Sequence, residues 1–473
     1  MSDRVDADLK AAVQSAERAA TRTGQLQWAG LRAEVPACDG LEVFGNSVQH
    51  ERFYWERPAE ARSIAALGCT AAIETEGANR FVESSARAQQ LFAGLHIAGE
   101  VETPGAGPFL VGGFAFCDAA STASHWSDFP TGRLALPEIT IVGVGGRAWC
   151  TVTRVVAAGC DVLEACRDLR SSLESVRSSL PALGATDSPP PLVERSGSSA
   201  YHAVPDRTYA DYRAQVASAL REIGDGVFEK LVLARSVCLR REGDFDPCAQ
   251  LDALRRAHPS CAVFAVARPS SVFLGATPEC LVRLDMGRVE TASVAGSAPR
   301  GRSPEEDSRL GRELRESKKE QNEHAVVVRA LCAALAPHCN GLDVRESPRL
   351  MRLKDIQHLE TPIAGTVCDR SSILDLLNSV HPTPAIAGAP REAALEWLRC
   401  NENLDRGWYG GPVGFTDAAG GGEFYAALRS ALLSDEEARL FAGAGIVEGS
   451  QPENELRETR LKLRAMLDPL LEI

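Results

Sequence analysis

Phe228-Glu229-Lys230-Leu231-Val232-Leu233-Ala234-Arg235 passes from two charges straight into an apolar run. Leu231 to Leu239 is rich in Val and Leu and lies between turn and charge signals, which predicts a core strand. Just upstream, Tyr209, Tyr212, Val216, Leu220 and Ile223 recur at three- and four-residue spacings, predicting one apolar face of a helix. Helix signals return at 304 to 336, 391 to 400 and 452 to 472. This alternation, with no repeat of solenoid length, predicts an α/β or α+β body of enzyme size.

Residues 181 to 205, through Ser188-Pro189-Pro190-Pro191 and Ser196-Gly197-Ser198-Ser199, have the composition of a surface connector. Before them lie extended-looking pieces, Phe109-Leu110-Val111 and Leu136 to Val142, and a helix from Val162 to Leu180. The 473 residues carry 51 Lys+Arg against 64 Asp+Glu, a net charge of −13, with no basic run. That balance argues against nucleic acid and anionic membranes as partners. The charged, alanine-rich Met1 to Arg22 lacks the apolar core of a secretory signal, and no stretch reaches the length of a membrane span. Fourteen cysteines without a CxxC pair then predict reduced, mostly buried thiols in a cytoplasmic protein.

Three local patterns carry chemistry. Glu320 and Glu323 are three residues apart in a predicted helix, and Glu455 and Glu458 repeat the spacing with Lys462 four residues on. Each pair projects from one helix face. Four such carboxylates meeting at one point would need a cation, and Mg²⁺ takes oxygen ligands. Solvated helix faces with ordinary ion pairs are the bland alternative, and spacing alone favours them. Lys230 sits at the mouth of the apolar strand. It is either a strand-end lysine snorkelling to water or a base whose pKa is lowered by partial burial. Glu279, in Gly275-Ala276-Thr277-Pro278-Glu279-Cys280, follows a proline turn and precedes a strand, where apolar surroundings would keep a carboxyl protonated for acid catalysis.

In order along the chain, these segments resemble the chorismate-utilising enzymes, and among them the isochorismate synthases. The resemblance rests on Lys230 to Arg235, Phe273 to Glu279, Val294 to Gly301, Lys319 to His324, Gln357-His358-Leu359, His381 to Gly388, Gly407 to Gly414, Ala427 to Ala431 and Phe441 to Val447. It is nearly continuous over 201–473. Residues 1–200 match more loosely, through Phe53 to Glu56, Gly112 to Phe116 and Trp126 to Pro130.

The resemblance implies one large α/β (α+β) domain whose two antiparallel sheets and surrounding helices enclose a single pocket, with 181–205 as a surface loop. It implies Lys230 as general base and Glu279 as general acid in converting chorismate to isochorismate. Glu320, Glu323, Glu455 and Glu458 would form the Mg²⁺ site, with Glu323 and Glu458 binding the metal directly. Arg429 and Tyr409 would hold the enolpyruvyl carboxylate, a task that suits a planar guanidinium. Gly296, Gly443 and Gly445 would let the backbone approach the substrate, alongside Ser297, His358, Ile386 and Lys462. A lysine at 230, with Pro384-Ala385 where ammonia-using relatives carry Gly-Thr, implies addition of water. Ala385, where salicylate synthases carry threonine nearby, implies that the reaction stops at isochorismate. Salicylate synthase is the alternative, and a chorismate-binding regulator without turnover is a reading of another class. An isochorismate-consuming enzyme downstream is the implied partner, in siderophore, menaquinone or related metabolism. The segment Ser297-Ala298-Pro299-Arg300 departs from the Thr-Arg common in relatives.

Overall fold

The computed structural model describes residues 3–99, 105–121, 123–183, 201–368 and 370–472. Among them are eleven helices and two large sheets, one of thirteen strands and one of ten. Each sheet is built from both halves of the sequence. In the larger sheet Arg52–Arg57 pairs with Ala262–Ala267, and in the smaller Phe109–Phe114 pairs with Pro412–Asp417. The strands are antiparallel except at one edge, where Gln27–Val35 and Leu95–Gly99 run parallel.

An aromatic core joins the facing sheets. Phe53, Trp55, Phe273 and Phe441 from the larger sheet meet Phe109, Val413, Phe415 and Tyr425 from the smaller, with Trp126 and Phe129 between. Trp55 meets Phe415 edge-on at 5.3 Å, and Trp126 meets Phe273 edge-on at the same distance. Each buried aromatic removes about 150–250 Å² from water, so this layer dominates the cohesion of the sheets. Strand Lys230–Arg240 alternates as a strand must. Leu231 and Leu233 pack on Tyr212 and Val216 of helix Tyr209–Gly224, while Lys230 and Val232 face the opposite side.

Several expectations need correction. The predicted helix at 304 to 336 is two helices, Pro304–Glu316 and Lys318–Leu335, because Ser317 has extended φ/ψ and accepts a hydrogen bond from the Glu320 N–H. The extended run from Leu136 to Val142 breaks at Pro137 into the ends of two strands, Gly132–Leu136 and Ile139–Val144, which lie in different sheets. Within the predicted connector, His202–Pro205 is an edge strand on Lys230–Arg240, and 181–183 close helix Val162–Leu183; residues 184–200 lie outside the described residues. Among the described residues no disulfide joins the thiols, but only Cys150, Cys166, Cys238, Cys261 and Cys339 are buried, and Cys117, Cys368 and Cys400 are exposed. No helix among the described residues is long and apolar enough to cross a membrane.

A buried ion pair fastens the strand to the following layer. Glu402 accepts from Arg406 Nε and Nη2, both at 2.6 Å, and from the Ala234 N–H at 2.7 Å. Arg406 also donates to the carbonyls of Ile386 and Val232. Glu402→Ala would strand a buried guanidinium, so a loss of about 3–5 kcal/mol in urea unfolding is expected, with partial recovery in Glu402→Leu/Arg406→Met.

Candidate active site

The unshared face of strand Lys230–Arg240 opens on a cleft of about 740 Å³, counting space open to solvent. Of the residues singled out in the sequence, Lys230, Glu279, Gly296, Ser297, Glu323, His358, Ala385, Ile386, Tyr409, Arg429, Gly443, Gly445, Glu458 and Lys462 line it. Glu320 and Glu455 do not; they lie behind, on Lys319.

Lys230 is not a snorkelling lysine: it is 1% exposed, and its Nζ lies 2.9 Å from Glu323 Oε1. Helix Lys318–Leu335 delivers Glu323 to the strand. Space for the pair comes from Gly445 on strand Glu437–Val447, where a Cβ would overlap Glu323 Oε1 and stand 3.3 Å from Lys230 Cε. The neighbouring glycine, Gly443, offers its carbonyl to Lys462 Nζ at 2.9 Å. Gly445 therefore makes room for the protein's own charged pair.

Three lysines pair with the four glutamates, one of them shared by two. Lys462 meets Glu458 at 2.6 Å, one turn along helix Pro452–Glu472. Lys319 bridges the two helices, 3.2 Å from Glu320 and 3.1 Å from Glu455. Burial and the like charge of Glu458 push Glu455 up, and burial with Glu323 pushes Glu320 up. Burial also acts against ionised Glu458, but Lys462, Lys319 and Arg429 outweigh it and hold that carboxyl below its usual range. Such all-oxygen donors suit a hard divalent cation in chemistry. As arranged here each is taken up by a lysine, and no three His, Cys, Asp or Glu among the described residues are gathered for a metal.

Glu279 lies between strands Val272–Thr277 and Cys280–Asp285 and is 5% exposed. Burial pushes its carboxyl up to about 7, against the pull of Lys230, a hydrogen bond from Thr383, and the charges of Lys462 and Arg429. It is thus an acid poised near neutrality.

Opposite stands a guanidinium with no carboxylate of its own. Arg429 makes no ion pair within 4 Å among the described residues; it donates to His358 Nε2 at 3.3 Å. His358 is held well below the usual imidazole range by burial and by Arg429 and Lys462, so it is neutral. With Nε2 accepting, the proton sits on Nδ1, which faces the Gly296 carbonyl at 3.2 Å and the Ser297 hydroxyl at 3.0 Å. Gly296 takes φ +76° at a bulge in strand Arg288–Pro299, turning the Ser297 N–H onto Glu320 Oε2 at 3.1 Å. Burial pushes the Tyr409 phenol up to about 12, leaving it a neutral donor beside the cleft.

Sequence reasoning assigned no role to Thr383, Arg406 or Lys319. All three lie in or beside quoted segments, but their partners are remote in the chain: Thr383 meets a residue 104 positions away and Lys319 one 136 positions away.

The chain has relatives. A family model described as a chorismate binding enzyme matches residues 12–471. A salicylate biosynthesis isochorismate synthase of Pseudomonas aeruginosa is 37% identical over 442 residues, 93% of this chain and 89% of that protein. Isochorismate synthase MenF of Bacillus subtilis is 32% identical over 450 residues, 92% of each. The solved structure of the menaquinone-specific isochorismate synthase MenF from Escherichia coli shares the fold, with a TM-score of 0.76 over 98% of this chain and 100% of that one at 24% identity.

Gly445→Ala places a methyl group on the Lys230–Glu323 pair, whose carboxylate end can swing aside. The melting temperature should move little, while turnover of whatever substrate the cleft takes should fall about a hundredfold through the displaced amine. Parallel melting curves and kinetics of the variant check this.

Proposed function

This chain belongs to the chorismate binding enzyme family, and on that footing we propose that it is an isochorismate synthase, an isomerase that moves a hydroxyl from C4 to C2 of chorismate. The observation that carries the reading is one amine and one neutral-range carboxyl, Lys230 and Glu279, facing the same cleft. Lys230 takes a proton from water as the water oxygen bonds to C2. Both ring double bonds shift, C1=C2 and C5=C6 becoming C1=C6 and C4=C5, the C4–O bond breaks, and Glu279 gives its proton to the departing oxygen, which leaves as water. One water enters and one departs, so substrate and product are isomers. Before accepting a proton Lys230 must release its own, and Glu323 Oε1 at 2.9 Å is an acceptor at hand.

Arg429 and Tyr409 would hold the enolpyruvyl carboxylate, since the guanidinium has two parallel donors and no competing carboxylate. Mg²⁺ would be held by Glu323 and Glu458, with Glu320 and Glu455 behind them, and would supply positive charge for the ring carboxylate. Ala385 puts a methyl group, not a hydroxyl, at the cleft wall, consistent with a reaction that ends at isochorismate and passes it to a consuming enzyme.

Incubation with chorismate and Mg²⁺, followed by chromatography, should yield isochorismate; salicylate as the accumulating product would mark a salicylate synthase, and absence of turnover would sink the reading. Glu279→Gln should lower kcat by about two to four orders of magnitude, the usual size of an acid–base contribution. Because the raised pKa keeps the proton on Glu279 up to about pH 7, wild-type kcat/KM should fall as pH rises through that value; a flat profile to about pH 9 would contradict the acid role.

A further inference from the structure

The loop His381-Pro382-Thr383-Pro384-Ala385-Ile386 brings one hydroxyl to the acid. Thr383 is 2% exposed, and its Oγ1 lies 3.3 Å from Glu279 Oε1. The same oxygen accepts the Ala385 N–H at 3.2 Å, and the Thr383 carbonyl accepts the N–H groups of Ile386 and Ala387. With an acceptor site of the hydroxyl occupied by Ala385, its hydrogen is directed at Glu279. A carboxyl oxygen receiving that hydrogen is a poor seat for the acidic proton, because two hydrogens would then meet on one atom.

We propose that Thr383 is a positioning residue for Glu279: it holds Oε1, so that the transferable proton rides on Oε2, and it ties the acid to the cleft-wall residue Ala385. This rests on the acid role given to Glu279 above. The same bond favours the ionised carboxylate and sets how readily the proton departs. The other groups whose charge bears on Glu279 are Lys230 from its strand, Arg429 from the turn before strand Ser430–Ser434, Lys462 from the C-terminal helix and the Tyr409 phenol. None changes when only the Thr383 hydroxyl is removed.

Thr383→Val keeps the volume and loses the donor; Thr383→Ser keeps the donor. In the full-length protein with chorismate and Mg²⁺, Thr383→Val should lower kcat about tenfold with KM nearly unchanged. It should also move the alkaline limb of the pH profile upward by about half to one pH unit, the size of one hydrogen bond's preference for the ionised form. Thr383→Ser should stay near wild type in both. An unmoved limb in Thr383→Val, or a serine variant as impaired as the valine one, would overturn the proposal. Infrared titration of the Glu279 carbonyl stretch in the free protein, identified by its loss in Glu279→Gln, gives a second readout. It should show the same upward shift without turnover. If the wild type makes no isochorismate, the functional reading fails while the infrared shift still decides the hydrogen bond.

Discussion

The arrangement depends on neutralising carboxylates that have been taken out of water. Glu320 and Glu323 come from one helix and Glu455 and Glu458 from another; isolated, each would be costly to ionise. Lys230, Lys319 and Lys462 offset part of that cost, and each makes a different connection. Lys319 joins helix to helix, Lys230 joins sheet to helix, and Lys462 joins the C-terminal helix to the Gly443 carbonyl. The charge pairing therefore sets the relative placement of three elements, and with it the shape of the cleft floor.

Glu279 stands outside this network of ion pairs. Its neighbours in space are positive but not in contact, so burial wins and its carboxyl titrates near neutrality. Glu458 has a lysine at 2.6 Å, and the contact reverses the outcome. Two buried carboxyls of one cleft thus differ in acidity, though contact with a cation does not settle it alone, since burial and Glu458 push Glu455 up to about 7 with Lys319 at 3.1 Å. Arg429, with no carboxylate partner among the described residues, adds a positive charge to the same cleft.

The sequence supplied the mixed class, the helix over 209–224, the strand over 230–240 and the C-terminal helix over 452–472, because each follows from spacing along the chain. Spacing also placed Glu320 with Glu323, and Glu455 with Glu458, on shared helix faces. It could not say that Lys230 is buried, since a strand-end lysine looks the same whether a carboxylate or water receives it. Nor could it separate Glu320 and Glu455 from the cleft lining, a matter of which helix face meets which neighbour. Resemblance ordered the motifs but gave no role to Thr383, Arg406 or Lys319, whose partners lie far along the chain. Local periodicity and residue type are properties of the chain itself, so they were fixed before folding. Acidity, charge pairing and the direction of a hydroxyl arise from contacts between remote segments, so only the tertiary structure decided them.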